Sequence, residues 1–327
     1  MKAWQRILAD SLTTSNQLLS RLGLLTDQVQ SVDQSPDFPV RVPEPFVTRM
    51  VAGDPHDPLL RQVLAIADER YAMPGFVKDP LDELEGPMPG VLHKYRSRVL
   101  VIYRGGCAIN CRYCFRRHFP YQENTLTARD IDGLVTYLKA HPEVNEVVLS
   151  GGDPLMADDQ ALSGLFGRLE SVSSIHRLRI HTRLPIVIPE RVTDTLCQTI
   201  AATALPVVMV LHSNHANEID QSVMDAVSQL RGVCRSVLNQ SVILKGINDS
   251  ADVLIALSER LFEAGIDPYY LNVLDRVSGA HHFDVSDLEV AALHQALLNA
   301  LPGYLVPKLV QEVPGIGHKV QWKGTTH

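Results

Sequence analysis

From residue 98 onward the chain alternates two spacings of apolar residues. Short β-rich runs occur at Val99–Tyr103, Glu146–Ser150, Leu178–His181, Val207–His212, Val237–Leu244 and Tyr269–Leu274. Helix-length amphipathic segments separate them, near 127–140, 158–170, 189–203, 217–230 and 251–264. The run Val207-Val-Met-Val-Leu211 is apolar throughout, as expected of a strand buried on both faces. Six strand–helix repeats predict a parallel α/β sheet, either a partial barrel or doubly wound. Ahead of them, Ile7, Leu8, Leu12, Leu18, Leu19, Leu22 and Leu25 fit helical faces, and prolines are frequent from Pro36 to Pro89. That stretch is expected to wrap over a core as extended segments and short helices. A last helix is predicted near 287–300, followed by an apolar, strand-like run and a loop, Pro314-Gly-Ile-Gly-His-Lys319.

Polar residues gather at the carboxyl ends of the runs: Ser150-Gly-Gly-Asp-Pro154, His181-Thr-Arg183, His212-Ser-Asn-His215 and Asp275-Arg276. Active sites of α/β barrels lie on that face. The first run leads into Cys107-x-x-x-Cys111-x-x-Cys114, so these cysteines share one mouth with the polar strand ends. Three thiolates can hold three irons of a 4Fe–4S cube and leave the fourth open to a small molecule. A zinc site is the competing reading, with His118 as fourth ligand. Zinc pairs spaced two to four apart usually need a distant second pair, and none is present.

Composition narrows the class further. The 327 residues are 45% apolar and the formal net charge is −7. Mean hydropathy is near zero and the pI about 6.0. These values fit a globular chain with a large core and give no reason to expect a nucleic-acid-binding surface. Of five cysteines, Cys197 and Cys234 stand alone and are read as buried structural thiols. This is no disulfide framework, and a reducing compartment is expected. The start is broken by charges and no window approaches 18 uncharged apolar residues, so neither a signal peptide nor a membrane span is expected. The expectation is a cytoplasmic protein.

The cysteine spacing after the first strand of a βα array resembles the radical S-adenosylmethionine (SAM) superfamily. That resemblance implies that Tyr113 packs near the adenine and that Ser150, Gly151, Gly152 and Asp153 belong to the segment holding the methionine amino group. Tyr304-Leu-Val-Pro-Lys-Leu-Val-Gln-Glu-Val-Pro-Gly-x-Gly-x-Lys319 resembles the segment carrying the pyridoxal phosphate (PLP) lysine of the lysine 2,3-aminomutases. A lysine suits PLP because its neutral amine forms an imine that exchanges with a substrate amine. Segments from His93 to Leu100, Leu211 to His215, Asn239 to Asn248 and Pro268 to Asp275 extend the likeness over roughly residues 90–320. Trp4-Gln-Arg-Ile-Leu-Ala-Asp10 with Leu18-Leu19 resembles the short branch that makes (R)-β-lysine for modifying elongation factor P.

The resemblance implies a partial (β/α)6 TIM-like barrel over 96–285, an N-terminal helical and proline-rich wrap over 1–95, and a C-terminal helix with the PLP-lysine segment over 286–327. It implies cluster ligation by Cys107, Cys111 and Cys114, SAM contacts from His212 and Gln240, and Lys94 and Arg98 near the PLP phosphate. Arg116 matches the arginine for the substrate carboxylate, and Asp275 and Glu312 match acids for the distal ammonium. The cofactors expected are the 4Fe–4S cluster, SAM and PLP. The expected partners are L-lysine and an external one-electron donor, and the sequence leaves oligomeric state open, homo-oligomer included. Two carboxylates at the distal end favour a cationic side chain, hence lysine over glutamate. The alternatives are an aminomutase for another amino acid, a PLP-independent radical SAM enzyme, and a zinc-stapled binding module. The pattern also departs from the family. Ile316 and His318 interrupt the glycine-rich lysine loop, Glu312 stands where longer members have Asp, and no cysteine follows Cys234, so no C-terminal zinc site is expected.

Overall fold

The computed structural model describes residues 1–127 and 129–324. Nine strands follow one another in chain order across one sheet. They are β1 (Val91–Tyr95), β2 (Arg98–Arg104), β3 (Glu146–Gly151), β4 (Arg177–Thr182), β5 (Val207–His212), β6 (Ser236–Val242), β7 (Asp267–Asn272), β8 (Lys308–Gln311) and β9 (Val320–Gln321). β2 to β8 are parallel, while β1 and β9 run antiparallel at the two edges. β1 and β9 do not pair, so the sheet curls without closing: an open partial barrel, as expected.

Strand alternation divides the residues between two faces. Val99, Val101, Val147, Leu149, Leu178, Ile180, Met209 and Leu211 point outward into the main core. There they meet Leu134 and Leu138, Leu162 and Leu165, Leu196, and Val223 and Val227 from the surrounding helices. The helices Asp159–Glu170, Asp194–Ala202, Gln221–Val233, Ala251–Glu263 and Asp287–Ala300 match the amphipathic segments. Each begins at a residue whose side chain accepts the backbone N–H three positions on: Asp158, Thr193, Asp220, Ser250 and Ser286. Each such cap contributes about 1 kcal/mol.

The differences from the expected elements have local causes. The segment expected from 189 opens as a 3-10 turn, Pro189–Arg191, before the Thr193 cap starts the helix. The helix expected over 127–140 runs Ile131–Ala140, and its expected first turn includes residue 128, outside the described residues. β6 and β7 each stop two residues short of their apolar runs. Ile243 and Leu244 are buried in a turn instead, where Asn248 Oδ1 accepts the Leu244 N–H at 2.7 Å.

The proline-rich N-terminal stretch shares the main core through Trp4, Leu18, Val42, Phe46 and Leu60. It also grips the cysteine loop. Arg112 is fully buried, donates Nε to Glu69 at 2.8 Å and Nη1 to the Phe38 carbonyl at 3.0 Å. Its own N–H reaches the Gln62 carbonyl at 2.8 Å. Arg117 pairs with the same Glu69 carboxylate. Removing one partner from such a buried ion group costs about 3–5 kcal/mol. The wrap therefore fixes the loop that carries the three cysteines.

Candidate active site

The inward face of the strands lines a cavity of about 300 Å³. Residues at positions 98 and 100, 148 and 150, 179 and 181, 212, 240 and 242, and 270 and 272 form its staves. Loops at the strand ends complete the wall. Every residue that the resemblance assigns to a cofactor or substrate lines this one space: Lys94, Arg98, Cys107, Cys111, Tyr113, Cys114, Arg116, Ser150, Gly151, Gly152, Asp153, His212, Gln240, Asp275, Glu312 and Lys319, whereas His118 lies outside it with its Nε2 3.0 Å from the Ser278 carbonyl oxygen.

The cysteine loop follows β2, and burial pushes the Cys114 thiol up to about 11 and Cys107 well above its usual range, with the neighbouring thiols adding to both. Arg183, at the end of β4, donates Nη1 to Cys111 Sγ at 2.6 Å. Its Nη2 donates to Glu218 at 2.8 Å and to Gln62 at 2.7 Å, which holds the guanidinium in place. Beside the loop, Gly151 adopts φ +111° and Gly152 packs on Gly106. A Cβ on Gly152 would lie 2.5 Å from the Gly106 carbonyl oxygen, so only glycine lets these two backbones meet. Asp153 accepts hydrogen bonds from Thr182 Oγ1 at 2.7 Å and from the N–H groups of Leu155, Arg183 and Leu184 at 2.8–3.0 Å. Its carboxylate ties β3 to β4 and positions the Gly-Gly turn.

Deeper in the cavity, the register pairs His212 with Gln240. The Gln240 amide contacts His212 Nε2 and lies 3.3 Å from His181 Nδ1. Burial drives the His212 pKa down to about 3 and His181 well below its usual value. Both rings are neutral near pH 7. His181 Nε2 is buried with no hydrogen-bond partner among the described residues.

Arg116 forms a two-pronged pair with Glu83, Nη2 to Oε1 at 3.0 Å, and donates Nη1 to Ser150 Oγ at 3.2 Å. Lys94 reaches the same Glu83 carboxylate at 3.1 Å. Burial pushes Glu83 up, and the two cations outweigh it, so its carboxyl sits below the usual range. Arg98 lies 3.8 Å from the centre of the Tyr95 ring. Lys94 and Arg98, expected together, thus reach different partners: Lys94 turns toward Arg116, and Arg98 toward the Tyr95 hydroxyl that donates to Glu312. Lys319 Nζ donates to Asn272 Oδ1 at 2.9 Å, lies 3.3 Å from Glu312 Oε2, and sits 5.4 Å from the centre of the Tyr270 ring. Asp275 follows β7. Burial raises its pKa to about 7, the carboxylates of Glu312 and Glu83 add to the rise, and Lys319 and Arg116 oppose it.

Comparison with known proteins gives this constellation a family. A model of the radical SAM superfamily matches residues 101–202. The L-lysine 2,3-aminomutase of Escherichia coli (strain K12) is 49% identical over 314 residues, covering 95% of this chain and 92% of the relative. The L-lysine 2,3-aminomutase of Haemophilus influenzae is 48% identical, over 97% of this chain and 94% of the relative.

The chain belongs to the L-lysine 2,3-aminomutase family.

A longer relative, the L-lysine 2,3-aminomutase of Bacillus subtilis (strain 168), is 31% identical over 97% of this chain and 67% of its own length. The aminomutase family uses a 4Fe–4S cluster, SAM and PLP. The cavity's donor set fits each. Three thiols on one loop fit a cube. Among the described residues no three His, Cys, Asp or Glu side chains come close enough to share a single metal ion, and thiolates on a cube need not, because each binds a different iron. The Gly151-Gly152 backbone against Gly106 forms a cradle that a side chain would fill, suiting a ligand that approaches the main chain. Near the Lys319 amine, the Tyr269 and Tyr270 rings pack with centroids 3.7 Å apart at a tilt of 32° and give the cavity an aromatic wall for a pyridine ring. Arg98 has no carboxylate partner among the described residues, which suits it to a phosphate.

Several cavity-lining residues received no role in the sequence reading. His181 and Arg183 stood in a strand-end motif and signalled themselves. Asn272 lies three residues before Asp275 within the same β7 segment. Glu83 gave no signal, because it sits in an acidic run, Asp82-Glu-Leu-Glu85, that reads as a solvated turn. Cys197 and Cys234, read as buried thiols, are half-buried against the main core. No helix among the described residues is long and apolar enough to cross a membrane.

Proposed function

We propose that this chain moves the α-amino group of L-lysine to C3 and releases β-lysine. One observation carries the reading: the three thiols of the cysteine loop and the amine of Lys319 line a single cavity, with two neutral histidines and paired acids in the same wall. When bound, the reduced cluster with SAM supplies a carbon-centred radical, and PLP supplies an aldehyde that captures the migrating amine.

The chain's own residues prepare that chemistry. Cys107, Cys111 and Cys114 bind the cluster as thiolates, and burial holds two of them protonated, so cluster loading releases protons. The Gly151-Gly152 backbone and the neutral His212 and Gln240 hold SAM without placing a charge beside a radical precursor. Arg116 presents guanidinium N–H groups to the substrate carboxylate. Asp275 and Glu312 hold the distal ammonium. In a buried pocket a glutamate side chain would put a third carboxylate against these two, at a cost of several kcal/mol. Lys319 must shed a proton to act as a nucleophile, and Glu312 Oε2 at 3.3 Å is within reach to accept it and pass it on to solvent, which returns Glu312 to its carboxylate form. Asn272 Oδ1 aims the amine. The enclosing strands exclude water from the reacting atoms.

The product's use is a second element of the proposal. We infer that β-lysine made here modifies elongation factor P. The support is the likeness to the short branch, matched along 92% of the Escherichia coli relative against 67% of the longer Bacillus subtilis one. An external one-electron donor completes the reaction.

Borohydride treatment of the PLP-loaded protein, followed by peptide mass spectrometry, tests the assignment. The expected result is one PLP group fixed to Lys319. Fixation on another lysine, or none, removes PLP from the reading while leaving radical SAM chemistry in place. Competition among L-lysine, L-ornithine and L-glutamate then tests the substrate, with L-lysine expected to turn over fastest and L-glutamate not at all.

A further inference from the structure

Two ion pairs in the cavity join residues to partners that their assigned roles do not explain. Arg116, assigned to the substrate carboxylate, already holds a carboxylate. Glu83 accepts from its Nε at 2.5 Å and its Nη2 at 3.0 Å, and draws Lys94 to 3.1 Å. Glu312, assigned to the substrate ammonium, already holds an ammonium. Lys319 Nζ lies 3.3 Å away, with Asn272 Oδ1 at 2.9 Å. The chain thus reproduces both charged ends of its own substrate inside the pocket.

We propose that Glu83 and Lys319 are placeholders that keep amino acids out of the pocket until PLP has engaged Lys319. The inference rests on the assignment of Arg116 to the substrate carboxylate and of Asp275 and Glu312 to its ammonium. Its physical basis is the cost of leaving buried charges unpaired. Arg116 and Glu83 are each about 7% exposed or less, and neither tolerates an uncompensated charge beside it. The placeholders satisfy these charges. Capture of Lys319 by PLP takes its ammonium from Glu312 and leaves two carboxylates wanting a cation. A phosphate drawn to Lys94 loosens that lysine from Glu83 and frees the carboxylate to swing away from Arg116.

Glu83 is built to move. It sits in a surface turn held by Asp79, whose carboxylate accepts the N–H groups of Glu83 and Leu84 at 2.9–3.2 Å. The preceding Asp82 has φ +50°, a left-handed conformation that points Glu83 inward while Leu84, 51% exposed, faces solvent. Leu81, buried against the cavity, anchors the turn and its carbonyl accepts Lys94 Nζ at 2.7 Å, so the movement required is a swing of the Glu83 side chain alone.

The test uses 6-aminohexanoate, which is lysine without its α-amino group and retains both charged ends. Its binding is followed by isothermal titration calorimetry on cluster-loaded protein. The expected result is binding to PLP-loaded wild type at least about tenfold tighter than to PLP-free wild type. In PLP-free protein, Glu83→Gln and Lys319→Met are each expected to tighten binding by about tenfold or more, with iron content and thermal melt showing that each variant is folded. Equal binding by PLP-free and PLP-loaded wild type overturns the proposal and leaves the site assignment standing. So does binding by the PLP-loaded form that neither variant restores without PLP, and a single variant that fails to tighten binding strikes that residue from the proposal. Failure of every form to bind, PLP-loaded wild type included, overturns the underlying assignment of Arg116, Asp275 and Glu312.

Discussion

Asp275 gives the sharpest handle on how this pocket reads its substrate. The residue is half-buried just past the carboxyl end of β7, and desolvation raises its pKa to about 7. A carboxyl must be ionised to attract an ammonium, so binding of the distal end is weak below that pH and strong above it. With a pKa of about 7, roughly a tenth of Asp275 is ionised at pH 6 and roughly nine-tenths at pH 8. PLP capture of Lys319 removes a cation that lowers this pKa, so the affinity gained across that interval is at least about tenfold, or about 1.4 kcal/mol. The lysine ε-ammonium, with an ordinary pKa of about 10.4, stays charged throughout. Titration of the substrate α-amine, and of everything else in the reaction, is common to wild type and Asp275→Asn and cancels in their ratio. The assay is kcat/KM for β-lysine formation, measured without oxygen at pH 6, 7 and 8 in both proteins. The wild-type to variant ratio should climb at least about tenfold from pH 6 to pH 8. A flat ratio, or an asparagine variant as active as wild type at pH 8, refutes the role given to Asp275.

Other expectations follow from the same geometry. Arg183→Lys loses the fork that reaches Cys111 Sγ, Glu218 and Gln62 together; a charge-assisted hydrogen bond of about 1.5–3 kcal/mol strengthens on reduction of the cluster, so its loss should lower the one-electron midpoint potential, by at most roughly 65–130 mV, readable by redox titration with electron paramagnetic resonance. Gly152→Ala drives a methyl group into the Gly106 backbone and should weaken SAM binding at least about tenfold in equilibrium dialysis. Glu69→Gln strips the carboxylate from Arg112 and Arg117 and should cost about 3 kcal/mol or more in urea unfolding of the cluster-free chain. Burial pushes Glu69 up, but the two arginines outweigh it and hold its folded pKa below its ordinary value of 4.5. Its contribution is therefore full above about pH 4.5 and is lost as the pH falls, so the gap between wild type and variant should narrow in acid.

Much of this site was legible before any coordinates, because buried parallel strands leave a simple signature. Val207 to Leu211 is apolar on both faces, and the first polar residue after it, His212, ends the strand at the cavity. The same logic placed Ser150, His181 and Asp275 on one mouth. What stayed hidden depends on long-range pairing. The β1–β2 hairpin turns on Arg96-Ser97, which carries no glycine or asparagine to announce it. β8 read as a strand-like run, but its place as a seventh parallel strand beside β7 is a matter of register. Glu83 meets Arg116 across 33 residues of chain, and charge alone in an acidic turn says nothing of an inward partner. The separate courses of Lys94 and Arg98 likewise follow from the pairing of Tyr95 with Arg98, which sequence spacing does not specify.

The central claim is that a cluster-bearing loop and a PLP lysine act on one substrate in one cavity. Its most direct test is an anaerobic incubation of the reduced, cluster-loaded protein with SAM, PLP and L-lysine labelled with nitrogen-15 at the α-amine. Wild type should yield β-lysine with the label on C3, and Lys319→Ala should yield none while keeping its cluster and its SAM binding. Unchanged β-lysine from Lys319→Ala, or no β-lysine from a wild-type protein carrying its full cluster, contradicts the account.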